Sequence, residues 1–197
     1  MNSFDLYGYH LINQWAGRIP ILDKFMLFTH YAIGLYALLF VVCWFTLPKP
    51  EENRRHALIV AVFSAILALL INVLVSQVWL RPRPFVSLPS GSFTQLILHS
   101  IHDNSFPSDH VSDSFAFAAV SWKNAGGWVS YSSTILAILV AISRIYTGVH
   151  WPSDVLAGVI VGLLSARIMW ALSPLLKPIT EIGFRLFHFG PYSRHSN

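Results

Sequence analysis

Long apolar stretches separated by short polar breaks dominate the chain. Phe25–Leu47, Ala57–Leu80 and Val155–Leu176 are each long enough to cross a bilayer, which takes about 20 residues at ~1.5 Å of rise each. Trp128–Tyr146 is borderline in length. Val111–Lys123 is short; its helix is expected to begin near Ser108, and it crosses only if tilted or shielded by neighbours. Before these lies Asn2–Gly17, where Phe4, Leu6, Tyr7, Leu11, Ile12 and Trp15 approximate a helical stripe with Asp5, His10, Asn13 and Gln14 between them. That pattern suits an amphipathic helix in the membrane interface or a sixth packed helix. The predicted fold class is all-α: an integral membrane helical bundle of five transmembrane spans plus the N-terminal helix.

Counting crossings fixes the topology. The loop after the second span (Arg81–Asp109) and the loop after the fourth (around Thr147–Ser153) are two crossings apart, so both open on one face. The opposite face collects Lys49, Arg54, Arg55, Lys123, Lys177, Arg185 and Arg194. The first face has Arg18 and Lys24 besides the arginines discussed below. Cytoplasmic loops carry the Lys/Arg excess, so the first face is expected to point outward. The segment after Pro178 reads as a surface helix on the inner leaflet.

Composition agrees. The chain has 197 residues, 54% hydrophobic and 11% charged, against about 25% charged in a soluble domain. Its mean hydropathy is +0.55. Residues 1–197 are read as one membrane domain. The net charge of +4 forms no basic stripe, and the aromatics lie inside apolar segments, so nucleic-acid binding is excluded. Cys43 is the only cysteine, which excludes an intrachain disulfide; it reads as a small core residue. Asp5 stands where a signal peptide carries basic residues, so no cleavable leader is expected and the first span serves as an anchor.

Three polar groups fall on the outward face. Ser143-Arg144, five residues, His150, three residues, Asp154 close the fourth span and open the fifth. A helix starting near Trp151-Pro152 puts His150 and Asp154 on one face. A carboxylate bonded to one ring nitrogen fixes the tautomer and frees the other to attack; the alternative is a plain helix cap. Arg144 offers a planar fork for phosphate oxygens, or snorkels to head groups. Pro107-Ser108-Asp109-His110 opens the third span. Ser108 can cap that helix, its free N–H groups form an anion site, and His110 can hand a proton to a leaving oxygen. Arg81 and Arg83 alternate with Pro82 and Pro84, which stop the second span and set the directions of two guanidiniums.

Together these residues resemble the type 2 phosphatidic acid phosphatase family, whose pattern is Lys-x6-Arg-Pro, Pro-Ser-Gly-His and Ser-Arg-x5-His-x3-Asp. The third motif is complete, the second carries Asp109 for Gly, and in the first Arg83-Pro84 match while Ser76 stands at the Lys position. The resemblance covers about residues 57–176. It implies that His150 attacks phosphorus and forms a phosphohistidine, that Asp154 orients it, and that His110 protonates the leaving group and later activates water. It also implies that Arg83, Arg144, Ser108 and the backbone at Asp109 hold the phosphoryl oxygens, with Arg81 or Gln77 replacing the lysine. The Asp109 carboxylate is expected to point away from phosphate or pair with an arginine. No metal or cofactor is implied, because arginines and helix-end amides supply the positive field.

The Pro-Ser-Asp-His variant and small size resemble the bacitracin-resistance, undecaprenyl-diphosphatase branch. That implies an isoprenoid lipid diphosphate substrate and a role in recycling the cell-wall lipid carrier. Its rivals are a phosphatidate or phosphatidylglycerophosphate phosphatase and, from a different class, a non-catalytic lipid-binding or transport protein. Membrane lipids are the remaining expected partners, and a homodimer stays open. His99, His102 and Asp103 crowd one loop, but no fourth metal ligand is evident, so a solvated loop is expected. Asp113 lies one turn below His110 and is expected to steady the site. Arg167 is expected to be structural, and His30 to pack near the outer end of the first span.

Overall fold

Prolines and polar breaks set the helix limits. The computed structural model describes residues 2–48, 51–122 and 124–192; Lys49, Lys123 and Arg194, counted above among the inner-face cations, lie outside them. The described residues form α1 (Ser3–Asn13), α2 (Pro20–Phe28), α3 (Ala32–Thr46), α4 (Glu52–Val78), α5 (Pro84–Ser87), α6 (Asp109–Ser121), α7 (Gly127–Tyr146), α8 (Pro152–Ala171) and α9 (Lys177–Phe187). The fold is all-helical, and the described residues contain no strand. Pro20, Pro84 and Pro152 sit in the first turns of α2, α5 and α8, where a missing N–H is harmless.

Four stretches are long and apolar enough to cross a membrane: Pro20–Thr46, Glu52–Val78, Gly127–Tyr146 and Pro152–Ala171. The first is bent. Thr29 Oγ1 donates to the Met26 carbonyl at 2.7 Å, a local bond that competes with the helix ladder, and the chain tightens into a 3-10 turn over Thr29–Tyr31. The remaining expected span is shorter than a crossing. α6 has 13 residues, ~20 Å of rise against a ~30 Å hydrocarbon core. It is the inner helix of the bundle, packed by α4, α7 and α8, which shield it. α1 has 11 residues, too few to span, and lies against α7 and α8.

The helix ends sort into two groups. At one, His56 Nδ1 on α4 meets Thr180 Oγ1 on α9 at 2.8 Å, and the turn at Gly126 lies beside the Arg54 side chain. Arg55, counted above among the cations of the inner face, is buried. Its guanidinium donates to the carbonyls of Trp44, Leu47 and Pro48, closing the end of α3 as cations do at helix C-termini. At the other end Asn13 of α1 donates to Thr94 O (2.7 Å) and Tyr146 O (2.8 Å). There the end of α4, the start of α6, the end of α7 and the start of α8 meet.

α6 and α8 touch closely because of Gly158 and Gly162. A Cβ on Gly162 would stand 2.5 Å from Ser112 O and 2.9 Å from Ala116 N; one on Gly158 would stand 2.9 Å from Ser108 O. Such a glycine pair four apart lets two membrane helices pack backbone to backbone.

Candidate active site

His150 sits in the short loop between α7 and α8 and is buried. Gly148 makes the turn that delivers it: its φ is +83°, and the Thr94 carbonyl leaves no room for a Cβ. Both Val149 N and His150 N donate to Arg144 O at 3.2 Å, tying the loop to the end of α7. His150 Nδ1 lies 2.8 Å from the Ser105 carbonyl oxygen. A carbonyl only accepts, so Nδ1 carries the ring proton and Nε2 keeps its lone pair. That lone pair faces Arg83 Nη1 at 3.4 Å. Burial holds the ring below its ordinary value of 6.5; Asp154 opposes this and Arg83 reinforces it.

The orienting bond therefore differs from the sequence expectation. Asp154 Oδ2 is 3.8 Å from His150 Nδ1, beyond hydrogen-bond range. Asp154 Oδ2 instead accepts from Ser105 Oγ (2.5 Å) and Trp151 N (2.8 Å), and Oδ1 accepts from Arg81 Nη1 (2.5 Å). The carboxylate fixes the residue that holds the imidazole and caps α8 at the same time.

Arg81 was expected to reach phosphate. Its Nη1 donates to Ser153 Oγ (2.6 Å) as well as Asp154, and its Nη2 donates to Asp5 Oδ2 (2.5 Å). Two carboxylates compete for that fork, so Arg81 stands as the partner of Asp154 and Asp5. Asp5 Oδ1 also accepts from Ser153 N at 2.8 Å. Burial pushes the Asp5 carboxyl up, but the bonds from Ser153 and Arg81 outweigh it and the net shift is downward.

The other expected phosphate groups converge with donors to spare. Arg83 Nη1 donates to Val149 O at 2.9 Å, while its buried Nε has no partner among the described residues. Ser108 is the N-cap residue of α6, but its hydroxyl makes no cap bond and is likewise buried and unpaired. The first intrahelical bond runs from Ser112 N to Ser108 O at 3.0 Å, so the Asp109, His110 and Val111 amides precede it. Ser108 N donates to Asp154 O at 3.3 Å, joining α6 to α8. The Asp109 carboxylate, expected to turn aside or pair with arginine, turns to an amide: it accepts from Asn72 Nδ2 of α4 at 2.9 Å. Arg144 is buried, and no carboxylate of the described residues pairs with it; its closest partners are Ser143 Oγ and His30 Nδ1, each at 3.4 Å. His110 is half-buried and near enough to Arg144 to feel its charge. Buried donors with empty bonds are costly unless an acceptor arrives.

Residues 57–177 match the PAP2 superfamily. The chain belongs to that family. It is 34% identical to undecaprenyl-diphosphatase BcrC of Bacillus subtilis over 85% of this chain and 83% of the relative. It is 32% identical to the putative undecaprenyl-diphosphatase YbjG of Escherichia coli over 86% and 84%. Its fold is similar to the crystal structure of Aquifex aeolicus LpxE, with a TM-score of 0.70, 25% identity and coverage of 86% of this chain and 96% of the other. With these membrane-phosphatase relatives and its apolar helices, this PAP2 chain is a multi-pass membrane protein.

The PAP2 match begins at α4 and leaves α1, α2 and α3 outside. At the lysine position, Ser76 is partly buried and its hydroxyl donates to Val73 O of its own helix at 2.8 Å; among the described residues no cation replaces it there. Three contributors escaped the sequence reading, and a fourth, His30, was expected only to pack. Ser105 holds His150 and Asp154. Asn104 binds the carbonyls of Ser76, Trp79 and Phe106 and accepts from Arg81 N, closing the end of α4. Asn72 holds Asp109. His30 reaches Arg144 and stacks on His110, with ring centroids 5.5 Å apart and planes 20° from parallel. Only the Gly-x-x-x-Gly spacing of Gly158 and Gly162 left a sequence signal that could have been read. His99 pairs with Asp103 at 3.5 Å, and His102 and Arg167 are exposed. Asp113 lines an apolar groove between α3 and α4 with Tyr36, Phe63 and Phe117.

Proposed function

We propose that this PAP2 chain removes the terminal phosphate of undecaprenyl diphosphate, giving undecaprenyl phosphate and inorganic phosphate. His150 Nε2 attacks the terminal phosphorus and forms a phosphohistidine. The bond from that phosphorus to the bridging oxygen breaks, its electron pair stays with the lipid monophosphate, and His110 supplies the proton. Water then attacks the phosphohistidine, His110 takes the water's proton, and phosphate leaves. Arg83, Arg144, Ser108 and the α6 amides hold the phosphoryl oxygens throughout. Asp154 acts through Ser105, and Arg81 acts by holding Asp154.

The observation that carries this reading is the fixed tautomer of His150: Nδ1 is held by Ser105 O at 2.8 Å while Nε2 faces Arg83 at 3.4 Å. A lone pair beside a phosphate-gripping cation is what in-line attack on phosphorus needs. The named substrate of the relatives supports the lipid diphosphate. The α3–α4 groove, lined by Ile33, Tyr36, Phe40, Phe63 and Ile66, suits a hydrocarbon chain. The Lys/Arg excess that the sequence assigns to the opposite face supports a site facing outward.

The test assays purified protein on undecaprenyl diphosphate, phosphatidate and phosphatidylglycerophosphate side by side, with and without EDTA. Preference for the diphosphate, unchanged by EDTA, is expected. Preference for either monoester would reassign the substrate, loss of activity in EDTA restored by Mg²⁺ would overturn the metal-free route, and a fully active His150→Ala protein would overturn the nucleophile. No activity on any of the three would favour a lipid-binding role.

A further inference from the structure

We propose that His30 is a positioning residue for Arg144, supplied by the first span, and that it sets how tightly the site grips a phosphoryl group. The proposal rests on the phosphatase reading above. Arg144 is buried, yet no carboxylate of the described residues is in hydrogen-bond contact with its fork; Asp113 acts on it only through its charge, at longer range. Its contacts with Ser143 Oγ are long, at 3.4 Å. Nη1 has one further partner, His30 Nδ1, at 3.4 Å. A guanidinium only donates, so Nδ1 must accept, and His30 is neutral with its proton on Nε2.

The near-parallel stack of His30 on His110 fixes the ring that receives this bond. The bend at Thr29–Tyr31 puts it there: Thr29 Oγ1 takes the Met26 carbonyl, and the tightened turn projects His30 between α6 and α7, where His110 and Arg144 reside. An uninterrupted helix through this segment would present its side chains at a different angle. Residue 30 lies outside the stretch matched to the family, so the motif residues do not include it.

A neutral acceptor is suited to this task. A carboxylate in its place would neutralise Arg144 and compete with phosphate. An imidazole nitrogen restrains one Nη1 donor and leaves the charge and the remaining donors for an oxyanion.

The experiment titrates inorganic phosphate into the purified full-length chain, followed by ³¹P line broadening, for the parent protein and for His30→Ala, His30→Asn and His30→Gln. The Asn amide oxygen reaches the place of Nδ1, whereas Gln reaches the place of Nε2. His30→Ala is expected to weaken phosphate binding about tenfold, the scale of one misaligned charge-assisted bond. His30→Asn should restore it to within about threefold and His30→Gln should not. In an Arg144→Ala background, His30→Ala should cause no further loss. Equal affinity across the series, rescue by Gln in place of Asn, or an undiminished loss without Arg144 would each overturn the proposal. A parent protein that binds phosphate while the His30 series stays flat would overturn the His30 assignment alone. A parent protein that neither binds phosphate nor turns over a lipid phosphate would overturn the phosphatase reading and this proposal together.

Discussion

The Asp154 carboxylate stops 3.8 Å short of His150 Nδ1. Ser105 stands between them, accepting from the imidazole on its carbonyl and donating to the carboxylate from its hydroxyl. Orientation of the imidazole is thus a main-chain task, and the acid secures the main chain.

That relay grades the mutational effects. Asp154→Asn leaves the Ser105 carbonyl in place, so the tautomer survives. The fall in kcat should be smaller than the ~10⁴-fold loss that follows where a carboxylate alone sets the tautomer. Ser105→Ala keeps the carbonyl and loses only the hydroxyl, so its effect should be smaller again. Steady-state kinetics on the lipid diphosphate check the order; an Asp154→Asn loss of ~10⁴-fold or more would show a direct bond during turnover.

The pH profile follows from the environment of His150. Attack needs the neutral ring, and burial makes the charged ring unfavourable, so the group stays neutral to lower pH than a free imidazole. The acid limb of kcat/KM should therefore fall below pH 6.5, the ordinary imidazole value. Exposing the site by trimming a neighbour should move that limb upward.

Contact between α6 and α8 is the mechanical counterpart, because His110 rides on one helix and Asp154 on the other. Gly162→Val places carbon against Ser112 O and Ala116 N and should destabilise the protein by about 1–3 kcal/mol. Gly34→Ala meets nothing within 4 Å and should leave both stability and turnover intact. Thermal unfolding in detergent, read alongside activity, separates the two.

The Arg81 bridge makes α1 acid-sensitive. The folded Asp5 carboxyl titrates below its ordinary 3.8, so its stabilising contribution is complete above the ordinary carboxylate range. It is lost as pH falls through the lower, folded value. Trp15 fluorescence should report loosening of α1 only below about pH 4. Arg81→Ala leaves two buried carboxylates without their cation and should cost about 3–5 kcal/mol at neutral pH.

Outward orientation has a direct check. Ser92 is exposed in the loop at the site end. A cysteine placed there in a Cys43→Ala chain should react with a membrane-impermeant maleimide in intact cells. Labelling only after lysis would place the site inside.

Much of the architecture was legible because it depends on local properties. Apolar length marked the four long spans, since the bilayer asks only for hydrophobic run and helical rise. The short run from Ser108 also marked an inner helix in need of shielding, and α6 is that helix. Motif spacing picked out Arg83, Ser108, Arg144, His110, His150 and Asp154, and the fold does bring these residues together. Arg81 was misread because a free arginine and one held by two acids look alike in a sequence.

Which segments enter the lipid, and which residue types are available at their ends, can be read from the chain alone, because hydropathy and short-range spacing are written along it. Who holds whom is a property of the folded molecule. Ser105 and His150 are 45 residues apart, Asp5 and Arg81 76, and His30 and Arg144 114. Hydrogen bonds across such gaps depend on where a bend, a glycine contact or a tight turn aims each side chain, and linear order carries no record of that direction.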